Sequence, residues 1–535
     1  MKKADAAKRK LERLLEAARD AGPRLDWALS GGLGLAALLL YLRVRNALYS
    51  FDAVAYAEVV ENGTAQQLLH PHHVLYNPIC RLAYAVARLL GYDGRALGPM
   101  HFLNALAGAV GVAFTFLVCR KLGASRTASL LAGLAVATAA AYWANAAGVE
   151  VYTLGTAAAL VGLYAAAQVP SRGTSAATLA GAACAGAALI QQLNILLAPA
   201  AFIYVLTTGA ARRQKALAFA GGYAGAFVLG YVVLPAAFLR FEGAGDYVEW
   251  FFSYARMKRW GGFSWPNVAA GADAFARVFY VNAFWDNFAA PFIKKDVRHL
   301  RVALPLWLGV AFCGANLWLR LTHGPERRAL ILVAVSFLTY TGFILWWLPR
   351  YVGYWLFPAA TFAAAVAVAS SKRGRRWHLI SLIALTLAWL GITNVNWRDG
   401  ISRLPDLQAN ADYRAGLAVS RIIPEDALAY LANSPAVTYA RYFGGVRRVR
   451  SPNWVVNACR GDGEKAARHI EKLIRGEFDD GRAVYVGERA FPGIGGPPLR
   501  ELGERLLAEG RAVGSYAGAD VSEIIYVITP GASGF

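Results

Sequence analysis

The chain has little charge for its size: 17% of its 535 residues are Asp, Glu, Lys or Arg, against about 25% in an average soluble domain. With 57% hydrophobic residues and a mean hydropathy of +0.37, this excludes an ordinary soluble globule and implies a polytopic membrane protein. Cysteines are few. Cys80, Cys119, Cys184, Cys313 and Cys459 show no paired spacing and lie mostly inside apolar runs, so they form neither a disulfide framework nor a metal cage. FPGIGGPP at 491–498 reads as a turn-rich loop and lacks the GxGxxG spacing of a dinucleotide site. No inverted internal repeat of the transporter kind is visible. The start, MKKADAAKRKLERLLEAARDAGPR, is too long and too charged for a signal n-region, and no A-x-A-like site follows the first apolar run. Residues 1–24 are therefore expected to be a retained, basic amphipathic segment lying on anionic lipid at the cytoplasmic face.

What is present is a series of apolar runs separated by basic clusters. Lys and Arg outnumber Asp and Glu by 55 to 34, for a net charge of +21, but they punctuate the apolar runs instead of forming a stripe. That pattern signals topology and not a nucleic-acid partner. Runs of about 20 residues are needed per crossing. They place spans at 25–42, 100–119, 128–146, 151–169, a hairpin across 174–211, and further spans at 216–238, 301–319, 329–347, 351–369 and 378–395. Inside turns then fall at Arg120, Lys121 and Arg126, at Arg172, at Arg212, Arg213 and Lys215, at Arg327 and Arg328, and at Lys372 to Arg376. The expectation is a multi-pass protein of the cell membrane with about 11 transmembrane helices, N-terminus cytoplasmic and C-terminal domain extracytoplasmic. Outer loops would cover 46–99 and 239–300. Within the first, ICRLAYAVARLL at 79–90 carries Arg81 and Arg88 on an apolar background and reads as an amphipathic surface helix.

From 396 to 535 the character changes. Short apolar runs at 427–432, 483–487 and 523–529 alternate with charged helical stretches at 464–475 and 499–509, the pattern of a small α/β domain.

This topology gathers four polar constellations on the outer side. The densest is YSFDAVAYAEVVENGTAQQLLHPHHVLYNP at 49–78, with Asp52, Glu58, Glu61, His70, His72 and His73, closed by Tyr76 and Asn77. Asp52 can serve as a general base or a cation ligand; it can equally be a helix N-cap, since Ser50 and Asp52 both precede AVAYAEVV. The histidines, as His-x-His-His with Pro71 between and no Cys nearby, do not have a closed zinc spacing, and hydrogen bonding to a phosphate or sugar hydroxyl is as good a reading. Glu150, in NAAGVEVY, sits where an outer turn enters a span, followed by Tyr152. It is either a dipole-stabilised terminus or a functional acid. Arg350 and Tyr351 suit a lipid phosphate, because guanidinium binds phosphate bidentately. An interfacial anchor is the alternative there, and also for Arg256, Lys258 and Arg259.

An Asp just after the first span, an outer loop with amphipathic helices, an acidic residue in the second outer turn, an RY turn late in the chain and an outside C-terminal domain together resemble the GT-C superfamily of polyprenyl-phosphate-sugar-dependent glycosyltransferases. Protein O-mannosyltransferases and aminoarabinose transferases of lipid A belong to it. VEVYTL at 149–154 looks like the EVYSL-type motif of a membrane O-mannosyltransferase branch. The resemblance spans about residues 25–395. It implies Asp52 as the catalytic carboxylate, Glu150 as the second acid and Arg350 as a contact for the lipid phosphate; HPHH is unlike the best-known members, so the substrate is not carried over, and His70, His72, His73, Tyr76, Asn77, Tyr152, Tyr351, Arg256 and Arg259 are expected substrate contacts on their residue types and positions alone. The implied reaction is inverting attack by an acceptor hydroxyl of a protein, lipid or glycan on a sugar linked to polyprenyl phosphate. The family often has a second acid beside this Asp, where Phe51 and Ala53 stand here. No metal is therefore expected, with a divalent cation as the alternative. A non-catalytic transporter or binding protein for lipid-linked glycans is the other functional class; it calls for ionisable residues in mid-span, where this chain has almost none.

Overall fold

The computed structural model describes residues 2–207, 210–253, 262–281, 300, 303–305, 307–309, 311–312, 314–315, 327–371, 375–432, 435–459, 461–494, 496–519 and 521–531. These form two compact units, residues 1–46 with 59–404 and residues 47–58 with 405–535.

The first unit is helical. Among the described residues seven helices are long and apolar enough to cross a membrane: Gly22–Arg43, Leu97–Lys121, Val151–Ile190, Arg212–Phe238, Leu330–Trp347, Val352–Ser370 and Arg376–Arg403. An eighth is the pair Arg126–Ala137 and Ala140–Ala146, bent by 66°. The expected eleven differ from this in three places. The span at 301–319 lies largely outside the described residues. Val151–Ile190 is two helical segments joined across a kink, with Pro170 and a non-helical Gly173 at φ +82° on either side of the expected Arg172 turn. The second arm of the 174–211 hairpin is a short helix, Leu197–Thr207, entered through a 3-10 turn at Gln192–Leu196.

Helix ends follow local chemistry. Arg120 and Lys121 occupy the last turn of Leu97–Lys121, opposing the negative end of its dipole. The chain leaves through Gly123 at φ +96°, with the Ala124 N–H donating to Cys119 O at 2.9 Å. Ser125 then caps the next helix by accepting from Ala128 N at 3.2 Å. At the 66° bend the exposed backbone is satisfied from the last span: Asn396 Nδ2 donates to Thr138 O at 3.0 Å and Trp389 Nε1 to Thr138 Oγ1 at 2.8 Å. In hydrocarbon an unsatisfied carbonyl is costly, so a broken span needs such partners. Small residues allow close packing elsewhere. A Cβ on Gly181 would lie 2.0 Å from Phe219 O, and one on Gly222 would lie 2.2 Å from Thr178 O.

The amphipathic segment is the helix Tyr76–Leu89. Tyr76, Asn77 and Cys80 face inward, while Leu82, Val86, Leu89 and the following Leu90 are exposed. Arg81 turns back to donate to Val60 O, Val59 O and Gly63 O, closing the end of the helix Phe51–Asn62.

The second unit is a five-stranded sheet, ordered β2-β1-β3-β5-β4, with β1 Leu428–Tyr430, β2 Val449–Arg450, β3 Val484–Gly487, β4 Arg511–Ala517 and β5 Ser522–Ile528. β2, β1 and β3 are parallel; β5 runs antiparallel to β3 and β4. Alternation sends Leu428, Tyr430, Val484, Val486 and Ile528 to one face, under helices Gly463–Asp479 and Pro497–Glu509. Ala429, Leu431, Val449 and Ile525 go to the other, under Ala411–Ile422 and Pro435–Tyr442.

Candidate functional site

Asp52 belongs to the second unit, in the first turn of Phe51–Asn62, half-buried. The capping acceptor of that helix is Ser50, whose Oγ receives Ala53 N at 3.0 Å. The Asp52 carboxylate is thus not needed as the cap. The other acids of 49–78 are structural. Glu58 holds Arg441 in the same unit, the guanidinium lying 5.1 Å from the centre of Trp454. Glu61, in the first unit, binds Arg95 at 2.6 Å and receives Ala96 N at 2.7 Å.

In the first unit the three histidines cluster, His70 and His73 stacked. Pro71 opens the 3-10 turn Pro71–His73, and His70 Nδ1 accepts from His72 N at 3.4 Å. Ring centroids stand 4.6 Å apart for His70 and His73 and 5.4 Å for His70 and His72, with Tyr76 edge-on to His73 at 6.0 Å. The loop is seated by Leu75 N on Leu189 O at 3.0 Å and by Trp250 Nε1 on Leu69 O at 3.1 Å. Burial pushes His70 down to about 4 and, with repulsion from His70, His72 down to about 3; it also holds His73 well below the usual histidine value. The rings are therefore neutral, each with one donor and one acceptor. That suits hydroxyls better than it suits charge pairing with phosphate. Asn77 is buried, and its Oδ1 has no partner among the described residues.

Glu150 stands at the N-cap of Val151–Ile190 with Oε2 buried. Two residues on, Tyr152 meets the turn that carries Tyr351 and Tyr354. Its ring centroid is 5.2 Å from Tyr351 and 5.6 Å from Tyr354, which are themselves 5.0 Å apart. Gly353 fits between them: a Cβ there would come 2.8 Å from Tyr351 and 2.9 Å from Tyr152. Trp355 Nε1 fixes the turn by donating to Pro349 O at 2.9 Å, and Arg350 projects exposed from it. Two expected residues, Tyr152 and Tyr351, are thus brought together across 199 positions of sequence, as their numbers show. Tyr354 is the member that residue reading passed over, although it stands in the same WWLPRYVGYW run.

A buried polar knot lies within the first unit. Asn194 Nδ2 donates to Gly155 O at 2.9 Å and Ala187 O at 3.1 Å, and its Oδ1 accepts from Tyr340 OH at 2.9 Å. The interruption of an apolar run by Gln191, Gln192 and Asn194 was the signal for it, legible only as a turn. Arg256 and Arg259, with Lys258, lie outside the described residues. Among the described residues no three His, Cys, Asp or Glu come together to hold a metal ion.

The first unit is thus a bundle of helices long and apolar enough to cross a membrane, and solved structures share the fold of the chain. ArnT from Cupriavidus metallidurans bound to undecaprenyl phosphate aligns over 95% of this chain and 99% of its own, with TM-score 0.55 and 13% identity; its apo state aligns over 95% and 98%, with TM-score 0.56 and 13% identity. Archaeal oligosaccharyltransferase AglB from Archaeoglobus fulgidus, in complex with an inhibitory peptide and a dolichol-phosphate, aligns over 92% of this chain and 74% of its own, with TM-score 0.50 and 11% identity. No family model and no curated protein matches by sequence. At these identities the likeness shows the fold alone, which this chain shares with ArnT and AglB.

Proposed function

We propose that the chain is an integral membrane glycosyltransferase that moves a sugar from a polyprenyl-phosphate donor to an acceptor hydroxyl at the outer face. The observation that carries this reading is the near full-length likeness to ArnT, a protein solved with undecaprenyl phosphate bound. Asp52, with Ser50 in the capping role, acts as general base: it takes the proton of the acceptor hydroxyl as that oxygen attacks the anomeric carbon. The bond from that carbon to the phosphate oxygen breaks, polyprenyl phosphate leaves with the electron pair, and the sugar configuration inverts. Arg350 pairs with the phosphate, and Glu150 orients the reacting groups. The neutral His70, His72 and His73 cluster, with Tyr76, Asn77, Tyr152 and Tyr351, binds sugar and isoprenoid-proximal atoms through hydroxyl hydrogen bonds and ring faces. The chain crosses the membrane about eleven times, N-terminus inside, so that all of these groups face outward.

Comparison of membrane glycoconjugates by mass spectrometry, with and without the protein, tests the reading. One lipid, glycan or protein should lose a single sugar while the polyprenyl-phosphate sugar accumulates. Identical glycoconjugate profiles would overturn it.

A further inference from the structure

A helix of 12 residues is marginal by itself and frays first at its ends, so hydrogen bonding within Phe51–Asn62 does not alone fix Asp52 in its first turn. The hold comes from the other end of the sequence. Tyr439, 0% exposed, donates its hydroxyl to Tyr49 O at 2.5 Å, and Asn410 Nδ2 donates to the same carbonyl at 3.2 Å. Neither donor is free to turn away. Asn410 Oδ1 caps the helix Ala411–Ile422, accepting from Asp412 N at 3.0 Å and Tyr413 N at 3.1 Å, so its amide nitrogen is left to face Tyr49. That nitrogen also donates to Tyr439 OH at 2.9 Å, which leaves the phenol proton for Tyr49 O. Gly416 packs on the Tyr439 backbone so closely that a Cβ there would lie 2.6 Å from Tyr439 Cβ. The Tyr49 ring is itself stacked on Phe443, with centroids 6.3 Å apart.

Because a peptide group is planar, holding Tyr49 O also sets Ser50 N, and Ser50 Oγ caps Ala53 N at 3.0 Å. A second anchor lies on the far side of Asp52. Arg441, two residues after Tyr439 on the helix Pro435–Tyr442, donates to Glu58 Oε1 through Nε at 2.8 Å and through Nη2. Tyr49 and Glu58 thus bracket Asp52, and all these residues belong to the second unit. The sheet does not need this segment for its own packing. Both of its apolar cores are built from residues 415 onward, so the contacts serve the segment that carries Asp52.

We propose that Tyr439, Asn410 and Arg441 are positioning residues for the transfer: through them the C-terminal domain holds the start of Phe51–Asn62 and aims the Asp52 carboxylate. The inference rests on the reading of Asp52 as general base. A base works only within hydrogen-bond reach of the proton it takes, and a shift of about 1 Å can lower the rate about a hundredfold.

Tyr439→Phe and Arg441→Gln in the full-length protein test the assignment by two readouts. The first is amide exchange at residues 53–58, expected to be about tenfold faster in both variants. The second is transfer kinetics with the polyprenyl-phosphate sugar that accumulates in cells lacking the protein. There kcat should fall about tenfold or more with KM for that donor unchanged, and Arg441→Lys, which keeps the charge, should recover part of the loss. If Tyr439→Phe does not fold, Arg441→Gln decides, since its side chain is 26% exposed. Wild-type exchange at 53–58, or wild-type kcat in the folded variants, would overturn the proposal. Asp52→Asn run alongside separates the two possible failures. Transfer retained by Asp52→Asn overturns the general-base reading and this inference with it; transfer lost in Asp52→Asn but unchanged in the other variants overturns this inference alone.

Discussion

Glu477 supports the most quantitative prediction on stability. It caps no helix and lines no polar pocket, yet its side chain is only 6% exposed in the second unit. Arg448 donates to it through Nη1 at 2.9 Å and Nη2 at 2.5 Å, and Arg482 through Nε at 2.8 Å. The Arg448 hydrogen bonds, opposed by burial and reinforced by Arg482, hold its carboxyl at about 2 instead of the ordinary 4.5. That difference corresponds to roughly 3 kcal/mol at about 1.36 kcal/mol per pH unit. Arg448 and Arg482 reach solvent, with side chains 34% and 52% exposed, so screening reduces the net effect of Glu477→Gln to about 1–2 kcal/mol. Because the folded value is depressed, this stability is fully present above pH 4.5 and is lost as pH falls through about 2. Amide exchange of the Gly463–Asp479 helix and β3 in the full chain measures it at neutral pH and again near pH 3. The control is Glu464→Gln, whose i,i+4 pair with Arg468 is exposed on both sides and contributes about 0.3–0.5 kcal/mol. If Glu477→Gln matched that control, or if its cost were the same at both pH values, the account of this network would be refuted.

Two other expectations follow from the outer end. The lowered values of His70, His72 and His73 mean the folded chain binds fewer protons than the unfolded one, so stability should decline as pH falls below 6.5 and level off only near 3–4. Thermal melts across this range in wild type and His72→Asn check this; the variant should show a shallower decline, and parallel curves would refute it. Arg350→Ala should leave Tm within about 1 °C of wild type, because the side chain is exposed. The same variant should raise KM for a polyprenyl-phosphate sugar about tenfold or more, the loss expected for a charge-assisted contact. An unchanged KM would remove Arg350 from the donor site.

Much of this architecture is legible in the residues because membrane spans obey one rule of length and one of charge. Arg120, Lys121, Arg126 and Arg172 mark helix ends and turns in the structure where their positions suggest. Patterning also locates the amphipathic helix Tyr76–Leu89 and the apolar runs that become β1, β3 and β5. What escaped depends on backbone detail or distant pairing. Ser50 and Asp52 are both good caps, and only the first residue of the helix decides that Ser50 takes the role. Gly173 looks like any glycine near a proline until its φ is known. Tyr152, Tyr351 and Tyr354 meet only because two turns far apart in sequence are neighbours. Asn194, His101, Asn104 and Thr153 are single polar letters in apolar runs, and nothing local tells a partnered one from an unpartnered one.

The central claim is that Asp52 is the base of a lipid-phosphate-sugar transfer. Cells lacking the protein and supplied with Asp52→Asn, at wild-type expression and Tm, give the most direct test through the sugar content of their membrane glycoconjugates. Continued absence of the transferred sugar is the predicted result; restoration to the wild-type level by the Asn variant would contradict it.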